Sequence, residues 1–215
     1  METPKTPFSM NHRIREGLSR IATALRIDEW NRAKAAGINP TQLAILTLLE
    51  GRGDKGLGVK EIAAHLGVSQ PTATDSINAL ERKGCLAKHS GESDRRAVRV
   101  VLTAEGLAVL QASDTGEGLA GQAVGALDEG EQEDLLLSLV RMIRHLQETD
   151  AIPVQRLCVS CRYFAPFAHA DAARPHHCHF VDAAFGQREL RIDCRDHEEA
   201  DPAARAATWE AFQTG

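Results

Sequence analysis

Ile14, Leu18, Ile21 and Leu25 fall at i, i+4, i+7 and i+11, the period of a single helical face. Gly37 ends that helix. Asn39 then offers an N-cap, with Pro40 at the first helical position and Gln42 three residues after the cap. These signals predict a second helix through Leu43, Leu46 and Leu49. A short third helix carries Ile62 and Leu66 and stops at Gly67. Ser69 caps a fourth, with Ala73, Ile77 and Leu80 on one face and Gly84 at its end. The period then changes to that of strands. Residues 85–90 and 97–103 read as a hairpin, with Val98, Val100 and Leu102 on one side and the polar link SGESDRR between. Thr103 caps a fifth helix expected over 104–126, weakened by Gly106, Gly116, Gly118 and Gly121. Asp128 and Glu131 form the capping box of a sixth, whose face carries Leu136, Leu139, Ile143 and Leu146. A last short helix starts at Asp201-Pro202 and runs through Trp209 and Phe212. The fold class is therefore mainly α with a small β-wing.

Composition divides the chain further. Residues 1–150 contain only Phe8 and Trp30 as aromatics, whereas Tyr163, Phe164, Phe167, Phe180, Phe185, Trp209 and Phe212 all follow. With Pro153 beside the change, the sequence predicts a flexible N-terminus over 1–10, a helical domain over 11–150 and an extension over 152–215. No apolar run approaches the roughly 18 residues of a membrane span. The N-terminal METPKTPFSM has no apolar signal segment. A cytoplasmic chain with no membrane partner is expected, and its thiols should be reduced there. The net charge of −5 argues against general nucleic-acid affinity, but the charge is uneven. Between Arg82 and Arg99 six basic residues face two acids, whereas Ala104 to Asp150 holds ten acids and two arginines. A local basic patch can hold phosphate while the rest of the chain repels it.

The third helix, the turn Gly67-Val68-Ser69 and the fourth helix make a helix-turn-helix, and the hairpin that follows makes it winged. With Ala73, Ile77 and Leu80 inward, the fourth helix presents Gln70, Thr72, Thr74, Asp75 and Asn78 outward. Gln and Asn can pair bidentately with adenine, and Thr can reach phosphate or a thymine methyl. The segments GVKEIAAHLGVSQPTATDSINALERKGCL and SGESDRRAVRVVLTAEG, with their order of elements, resemble the multiple antibiotic resistance regulator (MarR) family over about residues 10–150. The resemblance implies a homodimer joined through the first helix and the last two of that domain, bound to a pseudo-palindromic operator in double-stranded DNA. It implies that Arg96 enters the minor groove, Arg95 meets phosphate and Asp94 braces the wing turn. Ser69 belongs to the same DNA-facing set. The chain departs from the family at Asp75, where relatives commonly carry a basic residue. An acid there would repel phosphate unless it accepts from a cytosine amino group or turns back to Arg82.

The extension has no counterpart in that resemblance. Its cysteines, Cys158, Cys161, Cys178 and Cys194, are spaced C-x2-C-x16-C-x15-C. Four thiolates suit Zn2+ or an iron–sulfur cluster, and the spacing does not separate the two. His197, three residues after Cys194, is an alternative ligand to Cys178, and His176, His177 and His179 flank Cys178. Cys85 stands apart, either as a small core side chain or as a redox thiol whose thiolate Arg82, Lys83 and Lys88 would favour.

The sequence thus predicts a regulator of transcription, a repressor and not an enzyme, whose four-cysteine site is structural or senses metal or redox state. One rival is a repressor responsive to a small-molecule effector, an aromatic acid, with a structural zinc in the extension. Another is a thiol oxidoreductase using Cys158 and Cys161.

Overall fold

The computed structural model describes residues 9–90, 98–114 and 116–215. Of the flexible N-terminus expected over 1–10, residues 1–8 lie outside them, while Ser9 caps the first helix and Met10 begins it. The chain divides into two compact units, residues 1–126 and 127–215. The division falls before the sixth expected helix rather than at residue 152, because that helix buries a face against the extension.

The first unit runs α1 (Met10–Ala35), α2 (Pro40–Leu49), α3 (Val59–Leu66), α4 (Gln70–Arg82), β1 (Leu86–Ser90), β2 (Val98–Leu102), α5 (Ala104–Ala112) and α6 (Leu119–Gly125). The caps are those the sequence marks. Asn39 accepts from the Gln42 N–H while the Gln42 side chain accepts from the Asn39 N–H, a reciprocal box. Gly67 closes α3 at φ 62°, a left-handed conformation that glycine adopts without penalty. Leu43, Ile45, Leu46 and Leu49 of α2 are buried with Ile62, Ile77, Leu80, Leu86 and Val100 in one core. Burying a side chain of this size contributes on the order of 1.5–3 kcal/mol, so this cluster dominates the unit's stability.

The wing is anchored from two sides. β1 and β2 pair antiparallel, Leu86 opposite Leu102 and Lys88 opposite Val100. Val100 also exchanges both backbone hydrogen bonds with Leu57, at 3.1 and 2.8 Å. Gly56 makes that approach possible. It sits at φ 46°, and a Cβ there would lie 2.3 Å from the Val100 carbonyl oxygen. At the far end of β2 the Thr103 hydroxyl donates to the Gly84 carbonyl at 2.7 Å and accepts from the Gly106 N–H at 3.0 Å, capping α5.

The single fifth helix expected over 104–126 is two helices. α5 ends at Ser113, whose buried hydroxyl donates to the Leu110 carbonyl at 2.6 Å. Gly116 then turns at φ 81°, and Gly118 caps α6. The glycines that weaken the expected helix thus become the turn. Asp28 of α1 fixes the new start, accepting from the Leu119 and Ala120 N–H groups at 2.9 and 3.0 Å.

The second unit begins with α7 (Glu129–Glu148), opened by the expected Asp128–Glu131 box. A loop-rich extension follows, with the three-stranded antiparallel sheet β3 (Phe164–Ala165), β4 (His176–Cys178) and β5 (Ala183–Phe185). α8 (Pro202–Thr214), capped by Asp201, ends the chain. Val140 of α7 packs with Leu157, Val159, Phe164, Leu190 and Phe212, and Leu136, Leu137 and Ile143 join the edge of this core. Arg188 reaches Glu129 and Glu133 of α7 at 2.5 and 2.8 Å.

Gly106 and Gly17 should respond oppositely to alanine. Alanine in a helix is favoured over glycine by about 1 kcal/mol. At Gly17 nothing lies within 4 Å of the added Cβ, so Gly17→Ala should raise the melting temperature slightly. At Gly106 the Cβ would stand 2.2 Å from the Cys85 carbonyl oxygen, and the overpacking cost of roughly 1–3 kcal/mol outweighs the propensity gain. Thermal unfolding in which Gly106→Ala is as stable as the parent would remove this packing argument.

Candidate nucleic-acid interface and thiol cavity

The face of α4 that meets solvent is decided by what the other face buries. Ala73, Ser76, Ile77 and Leu80 are buried, leaving Gln70, Pro71, Thr72 and Asp75 exposed and Thr74 and Asn78 half-buried. Several of the polar groups already have local work. The Ser69 oxygen accepts from the Thr72 N–H at 3.2 Å and lies 2.7 Å from the Thr72 hydroxyl. The Thr74 hydroxyl donates to the Gln70 carbonyl at 2.8 Å. Lys88 of β1 donates to Asn78 Oδ1 and to Glu81, each at 2.7 Å. Lys88 thereby ties the wing to the recognition helix through Asn78, a role the sequence reading of Asn78 as a base reader does not include. On the other side Arg99 of β2 pairs with Glu61 of α3 at 2.6 Å, and Glu61 also caps α3 through the Gly58 N–H. The wing strands are therefore bound to both helices of the helix-turn-helix. Arg95, Arg96 and Asp94 lie outside the described residues.

Cys85 is 2% exposed and packs in the core of the first unit. Burial and the neighbouring Glu105 push its thiol upward, and Lys83 opposes them only in part. These are the surroundings of a packed thiol rather than of a reactive thiolate.

A cavity of about 670 Å³ opens among α1, α2, α5 and α6. Asp28, Glu29, Glu50 and Asp114 line it with one guanidinium, that of Arg32. Arg32 is itself turned to the Ser113 carbonyl at 3.4 Å. The backbone N–H groups of Ala120 and Leu119 hold the Asp28 carboxyl below its ordinary pKa.

In the second unit Cys158, Cys161, Cys178 and Cys194 all line one cavity of about 220 Å³. They come from three pieces of local structure, Cys158 and Cys161 sharing one turn. Cys158 opens a short helical turn and its N–H donates to the Arg191 carbonyl at 3.0 Å. Cys161 is bridged to Glu199, Cys178 ends β4 opposite Phe164, and the Cys194 N–H donates to the Arg156 carbonyl at 2.9 Å. Two donors reach sulfur: the Arg191 N–H to Cys158 at 3.3 Å and its guanidinium to Cys194 at 3.6 Å. Burial pushes the Cys158 thiol up to about 11, the Arg191 N–H opposes this, and the nearby Cys194, Cys161 and Cys178 add to the rise. Among the described residues, no three His, Cys, Asp or Glu side chains gather where one metal ion could be held by all of them. His197 does not line the cavity; its Nε2 lies 3.0 Å from the Ser160 hydroxyl. His176 is fully buried among Phe164, Phe167, Phe185 and Phe212, its Nδ1 accepting from the Phe167 N–H at 3.3 Å, and burial lowers its pKa.

A profile of the MarR family matches residues 36–97. The transcriptional regulator YkoM of Bacillus subtilis is 32% identical over 116 residues, 54% of this chain and 74% of that protein. The transcriptional repressor MprA of Escherichia coli K12 is 33% identical over 73 residues, 34% of this chain, and the chain spans only 42% of MprA. The Staphylococcus aureus MepR–DNA complex shares the fold, with a TM-score of 0.51 and 23% identity over 65% of this chain and all of that one. The extension is not matched to the family.

The cap that Asp28 supplies to α6 should be acid-sensitive. A carboxyl held below its ordinary 3.8 contributes stability that is present above that value and lost as pH falls through the lower folded value. Asp28→Asn should speed hydrogen exchange of the amides at 119–125 at neutral pH and leave that exchange less responsive to acid than in the parent. Equal protection in both proteins would show that Asp28 does not hold α6.

Proposed function

The chain belongs to the MarR family, and from that premise we propose that it is a homodimeric, sequence-specific DNA-binding regulator that represses transcription by occupying its operator. The observation that carries this reading is the exposed face of α4, with Gln70, Thr72 and Asp75 presented beside a wing fixed to both helices of the motif. The MprA relative is a repressor, and the MepR structure holds DNA. On this reading Gln70 reads base edges and Ser69 and Thr72 meet phosphate or a thymine methyl, while Arg95 and Arg96, outside the described residues, keep the roles that the family resemblance implies.

Two apolar stripes support the dimer. Ile14, Leu18, Ile21 and Leu25 run exposed along α1. On α7, Leu135, Met142 and Leu146 are exposed and Leu139 is half-buried, again at i, i+4, i+7 and i+11. The expected α7 stripe is thus shifted by one position at two of its four sites, since Leu136 and Ile143 turn instead to the extension's core. Stripes of this kind mark surfaces that a partner covers, and a second copy of the chain is the occupant that a pseudo-palindromic operator requires.

A second reading rests on the 670 Å³ cavity, whose size suits a small-molecule effector. Four carboxylates against one guanidinium favour a neutral or cationic ligand over the aromatic acid that the family resemblance brings to mind. The oxidoreductase reading finds no support, because a reactive C-x2-C pair needs a lowered thiol pKa and Cys158 is raised. The four thiols are read instead as the holder of a metal or cluster that stabilises the extension or senses metal or redox state.

Operator binding followed by anisotropy across a salt series tests the regulator. Arg96→Ala should cost about 1–3 kcal/mol of specific binding. Asp75→Arg should strengthen non-specific binding and steepen the salt slope by about one unit. If neither variant moves either quantity, α4 and the wing do not face DNA. For the dimer, Ile21→Glu and Met142→Glu should each shift sedimentation toward the monomer and weaken operator binding. A parent protein that sediments as a monomer while it fills its operator would refute the dimer.

A further inference from the structure

We propose that the four cysteines of the extension hold a polynuclear iron–sulfur cluster rather than a single zinc ion. This deepens the reading of the same thiols given above and rests on it. A tetrahedral zinc site with Zn–S of roughly 2.3 Å draws all four sulfurs to within about 4 Å of one another. Such a site is closed, with no volume left between its ligands. Here Cys158, Cys161, Cys178 and Cys194 stand around a cavity of about 220 Å³, and no three of them converge on one point. Walls of thiols around a volume are what a cluster needs. Each thiolate binds one iron at the edge of an inorganic core, and irons and sulfides fill the space between.

The backbone brings the thiols to one cavity, with Cys158 and Cys161 in a single turn. Cys158 and Cys194 are pinned by the paired segments Arg156 and Arg191, Cys178 by the β3–β4 ladder and Cys161 by its bridge to Glu199. The N–H···S bonds from Arg191 to Cys158 and Cys194 would stabilise the charge of metal-bound thiolates and tune the potential of a cluster held there. The remaining wall is largely apolar, with Tyr163, Phe164, Phe180 and Phe185 shielding the site from water. His197 is held by Ser160 away from the cavity, so the ligand set is four cysteines. Loading proceeds by ligand exchange. Each thiol gives its proton to solvent and forms one Fe–S bond as the carrier's thiolate leaves a preformed cluster, and no electron is transferred.

The test is the full chain purified without oxygen from iron-replete cells, and separately the apoprotein reconstituted with ferric iron, sulfide and dithiothreitol. Both should be brown, with broad visible absorbance that bleaches on dithionite. Iron and acid-labile sulfide should be equal and at least two of each per chain. Cys158→Ser, Cys161→Ser, Cys178→Ser and Cys194→Ser should each lose most of the iron, whereas Cys85→Ser and His197→Ala should retain it. Far-ultraviolet circular dichroism shows whether the four serine variants still fold. If they do not, the iron-to-sulfide ratio and the Mössbauer spectrum of the parent decide alone. A colourless parent with one zinc per chain, or one that binds neither iron nor sulfide on reconstitution, overturns the proposal. Operator binding by the same samples separates the two readings. A colourless protein that binds its operator sinks the cluster alone, and a brown one that binds no operator sinks the regulator alone.

Discussion

Val100 is the fixed point of the first unit. Its N–H and C=O both bond Leu57, its strand neighbours Arg99 and Val101 pair with His89 and Ala87 of β1, and its side chain is fully buried. A strand held on both edges cannot slide, because a slip of one residue would turn Val100 outward and bring Arg99 into the core. From that constraint the rest follows. Arg99 emerges on the α3 side and meets Glu61, while Lys88, opposite Val100, emerges on the α4 side and meets Asn78 and Glu81. The two wing strands and both helices of the motif are therefore tied to one another. A binding surface that is already ordered loses less conformational entropy on meeting DNA than one that must fold there.

Asp75 sits on α4 as an exposed acid. Fixed geometry makes its charge consequential, since neither the helix nor the wing can turn it from the surface that α4 presents. On the proposed reading of α4 as the DNA-facing helix, a carboxylate at this place would lower general phosphate affinity and, with the net charge of −5, raise the relative weight of base contacts.

The second unit solves a different problem. An extension of this size has little apolar surface of its own, and small domains are marginal without a staple. Part of the answer is α7, which lends Val140 and its neighbours to the extension's core and accepts Arg188 on its acidic first turns. On the proposal made for the four cysteines, a metal or cluster in the thiol-lined cavity supplies the other part. Bound metal or cluster adds folding free energy that reduced thiols alone do not provide. A regulator whose last compact unit depends on such a group has its stability linked to the state of that group, which is the physical basis for sensing.

Elements with local signals were legible in the sequence. Asn39, Gly67, Ser69, Thr103, Asp128 and Asp201 each act where their side chain or backbone freedom dictates, because capping is settled within three or four residues. The spacing of the four cysteines likewise marked them as one set. Decisions that depend on distant partners were not legible. The break between α5 and α6 needed Asp28 from α1 to reach two amides that no local pattern connects to it. The rotation of the α7 stripe was set by which residues the extension covers. Asn78 could not be read as the partner of Lys88 until the hairpin register brought the two together. The same cause applies to the thiols: spacing along the chain fixes which of them can meet, while only the folded backbone decides the cavity they share.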